Sequence, residues 1–217
     1  MKFRLGTPRR LLVVAPHPDD ETIGAHTMMT RLRRRGVRIH VIVVTDGAAS
    51  HPSSPSWPRQ RLVAERRRES RRALRQMGVA ADAVTFLDLP DGRLHTRAGA
   101  ARRGLAQLVV NRGSTLVVSP SPHDDHPDHR TVAACMDALP RHGLRKLTYP
   151  VWPAGQKVAG ARALYLTGQE RLAKRCAIRR YRTQTGQITD DPAGFAMTVG
   201  QIAAFAGPRE LFVERRR

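Results

Sequence analysis

Four residues, His17-Pro18-Asp19-Asp20, place an imidazole and two adjacent carboxylates side by side in a chain of 217 residues. A His and an Asp three apart can hold one side of a divalent metal, and the carboxylate between them is free to handle a proton. The run they belong to, Ala15 to Glu21, follows the apolar segment Leu11 to Val14 and leads into a helix-like segment near Thr22. In open α/β sheets the C-terminal ends of buried strands are where ligands bind. A second group, His123-Asp124-Asp125-His126-Pro127-Asp128-His129, comes directly after another apolar run, Thr115 to Ser119. If the sheet is parallel, the two groups share one edge. His17, Asp20 and one histidine of the second group would then supply three ligands and leave a position for water, the open arrangement of catalytic zinc. Zinc lowers the pKa of its bound water to about 7, so hydroxide is at hand near neutral pH. The spacing points to a metal-dependent hydrolase. His51, His95 and His142 stand alone, and His26 and His40 fall inside a predicted helix and strand, so these five read as structural or solvated.

The elements that must position these groups alternate. Leu11 to Ala15 reads as a strand, Glu21 to Arg35 as a helix stopped by Gly36, and Arg38 to Thr45 as a β-branched strand ending at the Asp46-Gly47 turn. A Ser- and Pro-rich loop precedes a long helix from Arg59 to Met77, stopped by Gly78. Val84 to Leu87 is a short strand before the turn Leu89-Pro90-Asp91-Gly92; a helix over 97–111 and a strand from Thr115 to Ser119 follow. Beyond them the pattern predicts a helix from Pro127 to Leu139, strands at Leu147 to Val151 and Ala163 to Leu166, and a helix from Gln169 to Tyr181. Strands alternating with helices of this length imply βαβ units and an α/β fold with a mostly parallel sheet. No repeat or linker divides the chain, so a single domain over residues 1–217 is expected.

Composition narrows the class. Hydrophobic content of 41% and charged content of 26% suit a soluble globular protein. No apolar run approaches the roughly 18 residues that span a bilayer, and Leu11 to Ala15 is too short for a signal-peptide core. Cys135 and Cys176 form no motif, which fits a reducing cytoplasm. The net charge of +20 comes from arginine clusters such as Arg31 to Arg35, Arg66 to Arg72 and Arg215 to Arg217. Such a field favours anionic partners, but aromatics are only 5% of the chain, without the interleaved stacking residues of single-strand binders. That argues against nucleic acid and for a solvated arginine-rich surface.

These motifs resemble the PIG-L/LmbE-like zinc-dependent N-deacetylases, a family that includes the mycothiol-pathway deacetylase. The first hallmark is Ala15-Pro16-His17-Pro18-Asp19-Asp20-Glu21 and the second is His126-Pro127-Asp128-His129. Arg66 to Glu69, Ala73, Met77-Gly78, the Leu89 to Gly92 turn, and Lys174 with Tyr181, Thr183 and Gln184 extend the likeness over roughly residues 10–185. The resemblance implies a Rossmann-like three-layer sandwich and the removal of an N-acetyl (N-acyl) group from an N-acetylglucosamine-type sugar or glycoconjugate; the positive charge favours an anionic one. It implies Zn2+, or another divalent metal, held by His17, Asp20 and His129. Asp19 would be the general base and His126 the oxyanion stabiliser, able also to protonate the leaving amine. Asp128 would orient a histidine, and Arg66, Asp91 and Asp46 would contact sugar hydroxyls. No G-x-G-x-x-G follows the first strand, so no dinucleotide is expected.

Departures carry their own expectations. Where relatives have small residues after Gly24, this chain has Ala25-His26-Thr27, with His26 a surface residue or an extra polar neighbour. Some relatives have a tyrosine two residues before the second motif; here that position is Asp124, so the helper it provides is absent or comes from elsewhere. His123, Asp124 and Asp125 read as a solvated loop, and Glu21 as the partner of a nearby arginine. Two other functions compete: an amidase acting on a thiol conjugate or secondary-metabolite intermediate, and a basic nucleic-acid-binding protein on a degenerate deacetylase fold. The intact set of His17, Asp19, Asp20, His126 and His129 argues against the second.

Overall fold

The computed structural model describes residues 3, 5–110, 113–140 and 143–215. His142 and the last two arginines of the Arg215 to Arg217 cluster lie outside the described residues. Among the described residues seven strands, β1 (Arg10–Ala15), β2 (Arg38–Thr45), β3 (Val84–Leu89), β4 (Thr115–Pro120), β5 (Leu144–Tyr149), β6 (Arg162–Tyr165) and β7 (Arg209–Glu214), form one sheet in the order β3-β2-β1-β4-β5-β7-β6. The first five are parallel, and β7 runs antiparallel to both of its neighbours. Among the described residues six α-helices join them: α1 (Asp20–Arg34), α2 (Arg59–Gln76), α3 (Ala98–Leu108), α4 (Pro127–Asp137), α5 (Gly168–Ile178) and α6 (Val199–Phe205).

β1 is an unbroken apolar run because both of its faces are covered. Leu11, Val13 and Ala15 pack with Met28 and Leu32 of α1, Leu74 of α2 and Ile178 of α5. Leu12 and Val14 pack on the other side with Leu105 of α3 and Val132 and Met136 of α4. These are the three layers expected of a Rossmann-like sandwich. The chain passes from β1 outward to β2 and β3, then returns across β1 to begin β4. That reversal is a topological switch point, where the loops after two adjacent parallel strands diverge and leave a crevice. The two His- and Asp-rich groups follow the two strands that flank it.

α6 and β7 have no counterpart among the predicted elements. β7 carries Glu210 on its buried side, 3% exposed, next to buried Phe212, so its apolar alternation is interrupted by a charge. The charge has a structural task. α1 breaks at Ala25, with φ −140 and ψ 18, and the N–H groups of Thr27 and Met28 donate to Glu210 Oε1 and Oε2 at 2.8 and 3.0 Å. Lys174 of α5, 1% exposed, completes the pair at 2.9 Å. The break starts where α1 crosses Tyr149: a Cβ on Gly24 would lie 2.2 Å from that ring. Tyr149 in turn donates its hydroxyl to Val14 of β1 at 2.7 Å. His26 is buried, not a surface residue, and burial lowers its pKa to about 4. Among the described residues no helix is long and apolar enough to cross a membrane, and both cysteines are free.

Candidate active site

The turn after β1 is tight and strained. Asp19 has φ 146 and ψ −30, a region that non-glycine residues rarely enter. Local hydrogen bonds hold it there: its N–H donates to Glu21 Oε2 at 3.0 Å, and its carbonyl accepts the N–H groups of Thr22 and Ile23 at 2.9 Å. Glu21 is fully buried, and its partners are hydroxyls rather than the arginine expected from the sequence. Ser70 and Tyr181 donate to Oε1 at 2.6 and 2.8 Å. A charge-neutral partner suits a carboxyl that burial has already shifted upward.

Beside Asp19, three donor atoms, from the turn after β1, the first residue of α1 and the first turn of α4, form a triangle. His17 Nδ1 lies 3.1 Å from Asp20 Oδ2 and 3.2 Å from His129 Nε2, and His129 Nε2 lies 3.1 Å from Asp20 Oδ2. A tetrahedral ion with bonds of about 2.0–2.1 Å spaces its ligand atoms by roughly 3.3 Å. Two nitrogens and one carboxylate oxygen fit a zinc ion in both size and donor chemistry. His126 also offers a nitrogen within 4.8 Å of those of His17 and His129, and Asp91 and Asp128 each offer a carboxylate oxygen within 4.8 Å of His17.

Each imidazole of the triangle is backed by a carboxylate on its other nitrogen, the usual support for ligating histidines. His17 Nε2 faces Asp91 Oδ1 at 3.0 Å and Asp128 Oδ2 at 3.4 Å. His129 Nδ1 faces Asp124 Oδ1 at 3.2 Å, close enough for an ion-pair contact but off the line of a good hydrogen bond. Burial disfavours the imidazolium of His129, but Asp20 and Asp124 outweigh it and raise the pKa to about 9. Burial is likewise outweighed at Asp20, which the two imidazoles hold far below the usual carboxylate range. A metal entering here displaces the imidazole protons, so its uptake is coupled to pH.

The remaining predicted residues separate. Asp128 is fully buried and accepts the N–H groups of Gly92 and Leu94 at 2.7 and 3.1 Å, tying α4 to the turn that carries Asp91. Arg66 is 2% exposed; it donates to the carbonyls of Gly47 and Pro18 at 2.8 and 3.0 Å and stands 3.4 Å from Asp19 Oδ2. Burial, with Asp20 and Glu21 adding to it and Arg66 opposing it, pushes Asp19 up to about 8. His126 caps α4, its Nδ1 accepting the Asp128 N–H at 3.2 Å. Burial and the neighbouring His17 and His129 lower it to about 4. Asp46 is not brought to the cavity wall: it accepts the Ala48 N–H at 2.9 Å and pairs with Arg59.

Asp124 is the main correction. Only His123 and Asp125 of that segment are exposed; Asp124 is 1% exposed. Its Oδ2 accepts the N–H groups of Val151 and Trp152 at 2.9 Å each, and its Oδ1 accepts that of His126 at 3.1 Å. Val151 and Trp152 lie 27 and 28 residues downstream in the loop after β5, so nothing local in the sequence marks the carboxylate as buried. The cavity above the triangle, about 600 Å3, also has Ile23, Ser50, Trp152, Gln184 and Phe195 in its wall, none of which sequence reasoning placed there as cavity residues.

A sequence model of the PIG-L family, described as GlcNAc-PI de-N-acetylase, matches residues 12–139, from β1 through the second histidine group. The chain belongs to the PIG-L family. A curated relative, diacetylchitobiose deacetylase of Thermococcus kodakarensis, is 26% identical over 138 residues, 60% of this chain and 50% of that protein. Another, the 1D-myo-inositol 2-acetamido-2-deoxy-alpha-D-glucopyranoside deacetylase of Kineococcus radiotolerans, is 34% identical over 92 residues, 41% of this chain and 25% of that protein. The PIG-L chain thus spans half the length, or less, of the curated relatives it matches. Among solved structures, a deacetylase triple mutant involved in the teicoplanin biosynthetic pathway superimposes with a TM-score of 0.73 at 21% identity, covering 94% of this chain and 97% of that one. At that identity the likeness establishes the fold: an α/β sandwich shared by the PIG-L family.

Proposed function

We propose that this PIG-L protein is a zinc-dependent hydrolase that removes an acetyl group from the nitrogen of an N-acetylglucosamine-type sugar or glycoconjugate. The observation that carries the reading is the triangle of His17 Nδ1, Asp20 Oδ2 and His129 Nε2, with Asp19 and His126 in the cavity wall beside it. The two curated relatives, both named as deacetylases of acetylated sugars, support it.

His17, Asp20 and His129 would hold the ion, which when bound supplies water activated near neutral pH and polarises the acetamide carbonyl. Asp19, held by Arg66 and by its strained turn, would take the proton of the attacking water and return it to the departing amine. The adjacent ion would favour the ionised carboxylate that a base requires. His126 has Nδ1 occupied by the Asp128 N–H, so a neutral ring presents Nε2–H to the carbonyl oxygen as negative charge develops there. That geometry favours oxyanion stabilisation over acid catalysis for His126. Asp128 and Asp91 orient His17, and Asp91 and Arg66 remain able to meet a sugar hydroxyl from the wall. Asp46 serves the Gly47 turn that covers Arg66. One sheet built from strands spanning Arg10 to Glu214 supports assigning this activity to a single domain. The unpaired cysteines support a reducing, cytoplasmic compartment.

Purified protein loaded with zinc is expected to release acetate from N-acetylated sugars. His17→Ala and His129→Ala should each lose both zinc and turnover, and stoichiometric zinc in either variant would remove the ligand assignment. Asp19→Ala should keep its metal and lose turnover by roughly 10²–10⁴-fold.

A further inference from the structure

The chain carries +20, yet the cavity does not share that charge. Among the described residues lining it, the one arginine or lysine is Arg66, whose guanidinium already serves two carbonyls and Asp19. Its Nε has no acceptor, but it lies against Gly47, where a Cβ would stand 2.9 Å away. The lining carboxylates are Asp19, Asp20, Asp91 and Asp125. The arginine surplus is displayed elsewhere, for example by the exposed Arg61, Arg71 and Arg75 of α2. A phosphate or carboxylate entering the cavity would lose water and find as its cationic side chain only Arg66, already engaged by two carbonyls and Asp19, which is costly.

One side of the cavity is apolar and braced. Ile23, Trp152, Pro153 and Phe195 line it. Trp152 meets Phe195 edge-on at 5.9 Å and 87°, and rests on Phe205 at 5.2 Å and 80°. Its backbone is fixed from both ends: the N–H donates to Asp124 at 2.9 Å, and the carbonyl accepts from Asp125 N and Gln156 Nε2 at 3.2 and 2.6 Å. Phe195 N–H donates to the Ser50 carbonyl at 2.8 Å. Aromatic walls held this way bind without first having to be ordered. Beyond the reaction residues, the polar groups of the lining are few, chiefly Ser50, Gln184 and Asp125, enough for the hydroxyls of one sugar ring. At about 600 Å3, within the roughly 300–1,000 Å3 of sites for drug-sized ligands, the cavity has room beside that ring.

We propose that the substrate is an uncharged N-acetyl glycoside with an apolar, aromatic-type aglycone seated against Trp152, Phe195, Pro153 and Ile23. This rests on the deacetylase reading above and departs from the anionic substrate that net charge alone suggests.

The test uses the zinc-loaded protein with methyl N-acetylglucosaminide, phenyl N-acetylglucosaminide and N-acetylglucosamine 1-phosphate. Acetate release and calorimetric binding are measured separately for each. The phenyl glycoside should exceed the methyl glycoside about tenfold or more in kcat/KM and in affinity, as burial of a ring predicts, and the phosphate should be the poorest of the three. In Trp152→Leu, and in Phe195→Leu as a second variant, the phenyl-to-methyl ratio should fall to near one. Equal handling of phenyl and methyl glycosides, a preference for the phosphate, or an unchanged ratio in both variants would overturn the proposal. Binding that favours the phenyl glycoside with no acetate released from any substrate would sustain the proposal for the cavity and refute the deacetylase reading.

Discussion

Replacing Asp124 by asparagine changes no volume, yet it should be among the most damaging conservative substitutions in this protein. Three backbone N–H groups, from His126, Val151 and Trp152, converge on its two oxygens, and the ring of His129 stands 3.2 Å away. An amide offers one oxygen. If that oxygen keeps Val151 and Trp152, the amide nitrogen meets the His126 N–H, and a buried donor is stranded at a cost of about 1–3 kcal/mol. The opposite flip strands two. In the better orientation the new NH2 also faces His129 Nδ1, where its positive hydrogens favour the unprotonated nitrogen and thus the tautomer with the proton on Nε2. That is the nitrogen in the triangle with His17 and Asp20, so the variant should resist metal. Loss of a carboxylate behind a ligating histidine typically costs 10–100-fold in metal affinity, or about 1.4–2.7 kcal/mol. The assay is competition for zinc with a chromophoric chelator, paired with urea unfolding of the metal-free protein. Wild-type zinc affinity in Asp124→Asn would refute the tautomer argument, and wild-type stability would refute the donor count.

Three further outcomes follow from the fold beneath the site. Glu210→Ala leaves the Lys174 charge buried and two α1 N–H groups without an acceptor, so it should cost about 3–5 kcal/mol in urea unfolding; a loss below 1 kcal/mol would contradict the role given to the pair. Gly24→Ala forces a methyl against the Tyr149 ring and should cost about 1–3 kcal/mol, with acetate release falling as the turn above it shifts. His26, buried and lowered from 6.5 to about 4, is neutral in the fold while its unfolded form takes up a proton below pH 6.5. Its contribution is therefore complete above pH 6.5 and lost as pH falls toward 4, about 3 kcal/mol in all. His26→Gln should show a shallower decline than wild type across that window, and parallel curves would rule the titration out.

The parts legible in the sequence were those set by neighbours along the chain. β1 reads as a buried strand because both of its faces are apolar, and α1 and α2 end at Gly36 and Gly78, which take φ 78 and 79. The triangle could be anticipated because His17 and Asp20 are three residues apart and the second histidine group follows a second strand. β7 was hidden because one of its two buried residues is Glu210, whose partners come from α1 and α5, and the sequence cannot show that a charge has found them. The Glu21 partnership failed for the same reason: arginines are abundant nearby in sequence, while Ser70 and Tyr181 arrive from 49 and 160 residues away.

Local spacing alone thus marked His17, Asp19 and Asp20 as candidates to hold a metal and move a proton, since one strand end and one helix start suffice to aim them. Tertiary structure decided what stands behind and around them. Only the crossing from β3 back to β4 brings His129 to His17, and only the return of the loop after β5 buries Asp124 against His129 and raises Trp152 into the cavity wall. Net charge, a sum over the whole chain, said nothing of the cavity, because burial admits an arginine only where its partners already wait, as they do for Arg66.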